Sequence, residues 1–275
     1  MFETGKAYEA DLLNRIESGS MGFRKMFDLK DKIAVITGAA GGLGRPVALG
    51  LADFGAKIAL IDMDLEKAET VKKEIEKIGS DAIALRCDVT DPEDVKKMVD
   101  QTVNRFGCID ILIPFAGVNI TKPAEEYPYE DWKKVIDVNL NGVFLCNQQV
   151  GKVMIQQGRG RIINISSVRG QFGAPKDYAG YCTTKGAINM LTRTLACEWG
   201  KHNINVNAIA PSGIETPLTS HIFSNPDPDR PKPPPPPLGR RAFQDDLIGA
   251  IVFFASDASN YITGQILLID GGLTA

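Results

Sequence analysis

Thr37-Gly38-Ala39-Ala40-Gly41-Gly42-Leu43-Gly44 stands between an apolar run, KIAVIT (32–37), and an amphipathic stretch, 43–54. A strand-like run before glycines and a helix-like run after them describe a tight turn. Its backbone N–H groups open at a helix N-terminus, where an anion is favoured. Glycines at this spacing suit the approach of a pyrophosphate. Taken alone the motif is weak, because any glycine-rich surface turn looks alike. The flanking pattern has to carry the reading.

Outward from that turn the chain alternates. Short runs rich in Ile, Val and Leu recur at 32–37, 57–61, 82–87, 109–113, 161–166, 204–210 and 265–270. Longer amphipathic segments lie between them, at 43–54, 65–78, 92–106, 129–157, 178–200 and 243–256. Near-continuous apolar strands in β-α-β-α order predict a parallel sheet covered by helices on both faces. Right-handed crossovers make it a doubly wound, Rossmann-type α/β sheet, which holds ligands at the carboxyl ends of its strands. Residues 29–275 form this single domain, behind an N-terminal extension at 1–28.

Composition excludes several classes. The chain has 275 residues, 44% of them hydrophobic and 24% charged, with a net charge of −3. That is enough chain for a large core without disulfide staples. No Lys/Arg block tracks a phosphate backbone, so a nucleic-acid partner is not expected. No run reaches the apolar length of a membrane span, and the N-terminus lacks the apolar core of a signal peptide. Five scattered cysteines without a C-x-x-C read as reduced thiols of a cytoplasmic protein. Only two histidines are present, His202 and His221, with no matching ligand cluster, so no metal is expected.

Asp62 ends the second apolar run, where a carboxylate would accept hydrogen bonds from both hydroxyls of an adenosine ribose. A 2′-phosphate would be repelled there, and Met63 brings no positive charge to relieve it. The cofactor expected is therefore NAD. Arg45 sits just inside the following helix and points to no clear role. Asp88 ends the third run and could meet the adenine edge, while Thr90 or Asp91 before Pro92 makes a helix cap.

The stretch KDYAGYCTTK (176–185) holds two tyrosines. Residues four apart share a helix face, so Tyr181 has Lys185 beside it and Tyr178 has only Cys182. An ammonium favours phenolate, so Tyr181 is the phenol whose pKa is expected to fall towards neutrality, aided by a cationic nicotinamide. Ser166-Ser167 ends a strand and brings a hydroxyl to the same cleft. Strand alternation favours Ser167, with Ser166 as the alternative. An acid/base phenol, an activating lysine and a hydroxyl that holds the reacting oxygen suit hydride transfer at a carbinol.

These motifs together resemble the short-chain dehydrogenase/reductase family. The matching residues are TGAAGGLG (37–44), Asp62, CDV (87–89), VNLNGVF (138–144), NISS (164–167), YCTTK (181–185), NVNAIAP (205–211) and IDGG (269–272). The resemblance implies a catalytic tetrad of Asn139, Ser167, Tyr181 and Lys185, with Asn139 holding a water in a proton relay and Lys185 on the nicotinamide ribose. For Asn139 the residue alone suggests only a polar helix side chain satisfied locally. The resemblance also implies cofactor contacts from Gly38, Gly42, Leu43, Gly44, Asp62, Met63, Asp88, Val89, Ala116 and Gly117. Further contacts are implied from Pro211, Gly213, Ile214 and Thr216. A homotetramer is implied as well, with the helices at 129–157 and 178–200 at its interfaces.

Two departures from the family pattern stand out. Pro114-Phe115 replaces a pair of asparagines before Ala116-Gly117, and Pro114 has no N–H, so one interior hydrogen bond must be lost or rerouted. Ser212 replaces a glycine after Pro211, and a shifted loop is expected. Residues 212–242 form a substrate lid. They include NPDPDRPKPPPPPL (225–238), which carries eight of the 16 prolines and favours a stiff extended loop. In the N-terminal extension Tyr8, Leu12 and Ile16 form a weak apolar stripe, either an oligomer-docking arm or a frayed tail.

Arg169, two residues after Ser167, could hold a carboxylate or phosphate of a small-molecule substrate, or be a surface or subunit-contact residue. Tyr178 is either a pocket wall or a helix-start residue. The stretch 238–272 is similar to gluconate-type sugar-acid dehydrogenases of the family. The expected reaction is NAD-dependent, reversible oxidation of a secondary alcohol, on a polyol or hydroxy acid. The alternatives are a 3-hydroxyacyl thioester or cyclic-alcohol dehydrogenase, a 3-oxoacyl reductase, or a non-catalytic dinucleotide-binding partner subunit.

Overall fold

The computed structural model describes residues 3–17, 22–174, 176–214 and 235–275. Seven strands form one sheet: β1 (Ile33–Thr37), β2 (Lys57–Asp62), β3 (Ala82–Arg86), β4 (Ile111–Pro114), β5 (Gly160–Ile165), β6 (Ile204–Pro211) and β7 (Ile266–Ile269). Every pairing is parallel, in the order β3-β2-β1-β4-β5-β6-β7. The chain reverses its winding between β1 and β4, and the crevice of such a sheet lies there.

The helices are α1 (Glu3–Glu17), α2 (Gly44–Asp53), α3 (Leu65–Lys77), α4 (Pro92–Phe106), α5 (Tyr129–Ile136), α6 (Val143–Gln157), α7 (Ala179–Trp199) and α8 (Ile248–Ala255). Strand alternation splits the core between two faces. Ala34, Ile36, Ile58, Leu60, Ile111 and Ile113 pack against α2, α3 and α8. Val35, Ala59, Ile61, Leu112, Ile162 and Val206 pack against α4, α6 and α7. All eight residues of β6 and all five of β1 are buried, which is why these strands read as unbroken apolar runs.

Local chemistry sets the helix ends. The carboxylate of Asp91 accepts the N–H of Glu93 (2.8 Å) and Pro92 opens α4, so Asp91 and not Thr90 is the cap. Gly107 closes α4 in the left-handed conformation. The segment expected as one helix over 129–157 is interrupted by a π-helical turn, Asp137–Gly142, between α5 and α6. The last expected helix begins as a 3₁₀ turn, Gln244–Leu247, before α8.

Pro114 resolves simply. It pairs in register with Thr37, and the next N–H, that of Phe115, donates to the Thr37 carbonyl (3.0 Å). The Ala116 N–H then donates to Thr37 Oγ1 (3.2 Å). These are the ordinary bonds that hold β4 to β1; position 114 faces β5, and the β4–β5 register ends at Leu112–Ile162, before the proline.

The N-terminal extension forms α1 and a 3₁₀ turn at Phe23–Phe27. Leu13 and Ile16 of α1 are more than half exposed. Of the proline run, 235–238 is described; there the Leu238 N–H donates to the Gly271 carbonyl (3.1 Å). Residues 215–234 of the expected lid, with Glu215, Thr216 and His221, lie outside the described residues. No described helix is long and apolar enough to cross a membrane.

A Cβ on Gly44 would stand 2.2 Å from the Gly38 carbonyl oxygen, against backbone that cannot swing aside. Gly44→Ala is therefore expected to destabilise the fold by about 2 kcal/mol or more. The urea midpoint, compared with that of an exposed control such as Gly249→Ala, measures it.

Candidate active site

A cavity of about 690 Å3 opens at the carboxyl ends of β1 to β5. Its floor is a close backbone contact. Gly38, at φ 65°, lies so near the β4 turn that a Cβ would meet the Ala116 nitrogen at 2.9 Å. Gly38, Gly42, Leu43 and Gly44 line the cavity, as do Ala116 and Gly117. Together they form the narrow cradle that a pyrophosphate needs.

Asp62 and Met63 line the next stretch of wall, followed by Asp88 and Val89. Asp62 Oδ2 accepts the N–H of Ala40 (2.9 Å) and Oδ1 that of Asp64 (3.0 Å), so its carboxylate is held in one orientation. The side chain of Asp88 is partly committed: Oδ1 accepts both the N–H and the hydroxyl of Thr90 (2.9 and 2.7 Å). Arg45 turns away. Its guanidinium donates twice to Glu74 on α3 (2.8 and 3.0 Å). The cradle and the oriented carboxylate fit a dinucleotide.

At the far end stand Asn139, Tyr181 and Lys185. Asn139 lies in the π-helical turn and is buried. Its Oδ1 accepts the Val118 N–H (2.8 Å) and its Nδ2 donates to the Val118 carbonyl (2.8 Å). The side chain is satisfied, but across 21 residues and not within its own helix. It clamps the chain that leaves β4. Tyr181 and Lys185 project from the first turns of α7, with Lys185 Nζ 5.5 Å from the Tyr181 ring centre. Tyr178 meets Tyr181 edge-on, with ring centres 6.2 Å apart.

The two serines are placed differently. Ser166 Oγ donates to Asn189 Oδ1 (2.6 Å) and is part of the packing of α7 against β5. The Ser167 hydroxyl accepts the N–H of Arg169 (3.2 Å) and hydrogen-bonds to the Tyr181 phenol, which favours phenolate.

The electrostatics correct one expectation. Tyr181 does not lie below its ordinary pKa. Burial of its hydroxyl end pushes it up to about 12, and the Ser167 hydrogen bond offsets this only in part. Lys185 Nζ donates to the Ile165 carbonyl (2.8 Å), and burial lowers its own pKa to about 8. Burial dominates and the Ser167 hydroxyl alone opposes it, so a lowered phenol requires further positive charge in the cleft.

Other expected residues lie apart. Arg169 Nη1 donates to the Gly173 carbonyl (2.7 Å), and neither Arg169 nor Tyr178 lines the cavity. Pro211, Gly213 and Ile214 do not line it either. Ser212 N–H donates to Ile269 (3.0 Å), and Ile214 is buried and bridged to Ala242. Phe115, Val118 and Val138 line the wall and were not singled out, although each adjoins a residue that was. Lys133, Lys134 and Asp137 also line it, on a helix face that carries no motif. No group of three metal-ligating side chains occurs among the described residues.

A family model described as enoyl-(acyl carrier protein) reductase matches residues 38–274. The chain belongs to the short-chain dehydrogenase/reductase family. It is 36% identical over 249 residues to a gluconate 5-dehydrogenase of Gluconobacter oxydans, covering 90% of this chain and 97% of that protein. An NAD-dependent glycerol dehydrogenase of Listeria innocua is 38% identical over 254 residues, covering 92% and 98% of the two chains. The crystal structure of a gluconate 5-dehydrogenase from Burkholderia cenocepacia, in complex with NADP and tartrate, superposes with a TM-score of 0.85 at 37% identity. It covers 90% of this chain and 97% of that one. The chain is thus an oxidoreductase of the short-chain alcohol dehydrogenase/ketone reductase type that uses a nicotinamide dinucleotide.

The lowered pKa of Lys185 has a testable sign. In the unfolded chain this lysine keeps its proton to about pH 10.5, and in the fold it releases it near 8, so stability rises as pH goes from 8 to 10.5. The wild type is expected to gain melting temperature on Lys185→Met across that window, by the equivalent of a few kcal/mol. Thermal melts at pH 7.5, 9 and 10 check it; parallel curves would contradict the assignment.

Proposed function

We propose that this protein catalyses the NAD-dependent, reversible oxidation of a secondary alcohol to a ketone, on a small polyol or hydroxy acid. The observation that carries the reading is that Tyr181, hydrogen-bonded to Ser167, and Lys185 stand at one end of a cavity whose other end is formed by the glycine cradle and Asp62.

The bound nicotinamide supplies the hydride acceptor and, when oxidised, a positive charge. All else falls to the chain. Tyr181 takes the hydroxyl proton of the substrate in oxidation and returns it in reduction. The Ser167 hydroxyl holds the reacting oxygen. Lys185 helps to keep the phenolate once the cleft is positively charged, and it binds the ribose hydroxyls. Asn139 fixes the Gly117–Val118 backbone beneath the nicotinamide side and serves the relay of the proton to solvent. Pro211, Gly213, Ile214 and Thr216 complete the nicotinamide end.

Asp62 accounts for the choice of NAD: a carboxylate held by two backbone N–H groups accepts ribose hydroxyls and repels a 2′-phosphate. Arg45, tied to Glu74, does not offset that repulsion. The substrate class rests on the relatives' names, gluconate and glycerol among them, and on the tartrate in the Burkholderia complex. Arg169 retains Nη2 for a substrate carboxylate, and Tyr178, edge-on to Tyr181, would meet the substrate from outside the cofactor cavity. Residues 212–242 act as the lid of one domain spanning 29–275. The exposed Phe144 and Met190, on α6 and α7, suit subunit contacts in a cytoplasmic homotetramer.

Reduction of NAD or NADP, followed by absorbance over a panel of polyols, sugar acids, cyclic alcohols and hydroxyacyl thioesters, tests the whole reading. Turnover with NAD on a polyol or hydroxy acid is expected, falling about 10²–10⁴-fold in Tyr181→Phe. Asp62→Ser should narrow the preference for NAD over NADP by about tenfold or more. NADP preference in the wild type, or turnover of thioesters alone, would displace the cofactor or substrate assignment. Dinucleotide binding without turnover would favour a non-catalytic role.

A further inference from the structure

The opposite edge of the sheet holds a second hollow, of about 260 Å3, lined among others by Lys32, Asp110, Arg159, Arg161, Asp257 and Asn260. It gathers residues that precede or open four neighbouring strands. Lys32 leads into β1, Asp110 into β4 and Arg159 into β5, which Gly160 and Arg161 begin; Asn203 leads into β6. With strands of five or six residues at about 3.3 Å per residue, this edge lies roughly 17–20 Å from the catalytic end.

Three cations meet two carboxylates here, and the acids are largely spent. Asp110 is buried; its Oδ2 accepts the Ile33 N–H (3.0 Å) and its Oδ1 the Arg159 Nε–H (3.0 Å). The Arg159 side chain also hydrogen-bonds to the Cys108 thiol. Asp257 is 60% exposed and stands 3.6 Å from Arg161 Nη2. Lys32 forms no ion pair among the described residues. Arg161 donates from Nη1 to Asn205 Oδ1 (2.7 Å) and from Nη2 to Asn260, but its buried Nε has no partner.

These cations are not needed where cations usually serve at this end of a parallel sheet, on the carbonyls that close the helices. The end of α8 is closed by serines. Ser256 Oγ donates to the Phe253 carbonyl (3.0 Å) and Ser259 Oγ to that of Phe254 (3.1 Å). The end of α6 is closed by backbone, with Gly158 N–H on Ile155 (3.2 Å) and Arg159 N–H on Met154 (3.2 Å).

We propose that this hollow is a second ligand site, for a small oxyanion bearing a carboxylate or a phosphate, separate from the dinucleotide cavity. Arg161 and Arg159 form its wall and Lys32 closes it with an ammonium. The hollow falls below the roughly 300 Å3 at which sites for drug-sized ligands begin, so its ligand is a compact ion. Such an anion joins the amino ends of β1, β4 and β5, the strands whose far ends carry Gly38, Ala116 and Ser167.

Calorimetric titration and thermal melts of the full chain test this. The probes are inorganic phosphate and, separately, malonate, at constant ionic strength, with and without saturating NAD. Saturable binding of either probe, unchanged by NAD, is expected; the tighter of the two identifies the chemistry. Lys32→Gln should weaken it about tenfold, on the scale of one charge-assisted hydrogen bond, and Lys32→Glu should abolish it. Lys32 is half-buried and forms no ion pair among the described residues, so both variants are expected to fold with unchanged cofactor affinity. Absence of saturable binding, equal binding in Lys32→Glu, or binding that NAD displaces to the glycine turn would each overturn the proposal.

Discussion

The active end of this molecule depends on two backbone turns lying against each other with no side chain between them. Gly38, leaving β1, touches Phe115 and Ala116, leaving β4. Thr37 ties the two by accepting on both its carbonyl and its hydroxyl. Moving either strand end by the width of a methyl group would close the cradle. Everything further out is positioned from this contact. The Val118 backbone continues from it, Asn139 grips that backbone, and the helix carrying Asn139 packs beside α7, which presents Tyr181 and Lys185.

The chemistry of the site is a balance between burial and charge. Tyr181 and Lys185 each lean towards the neutral form, the phenol holding its proton and the amine losing its own more readily than in water. A pair so placed is poised to respond to a positive charge brought from outside. The protein therefore need not keep a reactive phenolate exposed when there is nothing to oxidise. Ser167 is the one neighbour already biased towards the ionised phenol, and its own place is set by the β5 terminus and the Arg169 amide.

The fold was legible because both faces of a parallel sheet are covered. A strand such as β6, buried at all eight positions, leaves an unbroken apolar signature, and β1 the same. The glycine turn, Asp62 and the Tyr181–Lys185 spacing were legible because each is a local pattern with a single geometric use. What sequence could not supply was long-range. Nothing near Asn139 announces that its amide reaches Val118. Nothing near Arg169 announces the Gly173 carbonyl. The spacing of Tyr181 and Lys185 correctly places them together, yet the sign of the phenol's shift depends on how many atoms surround it, and no spacing carries that. Pro114 costs the β1 side nothing, because its missing donor faces β5, and which neighbour a given amide faces is a matter of register that the sequence does not carry.

The π-helical turn at Asp137–Gly142 makes a difference of phase. A π turn holds one residue more than an α turn, so α6 is rotated by about 100° from where an unbroken continuation of α5 would place it. The two halves of what reads as a single amphipathic helix therefore face different surroundings. One half contributes Lys134 and Val138 to the cofactor wall, and the other turns Cys146, Val150 and Met154 into the core. Removing one residue from the turn would leave the helix intact as a helix and put the wrong face on one side or the other. The extra residue acts as a rotational spacer, letting a binding surface and a packing surface share one rod without sharing a stripe.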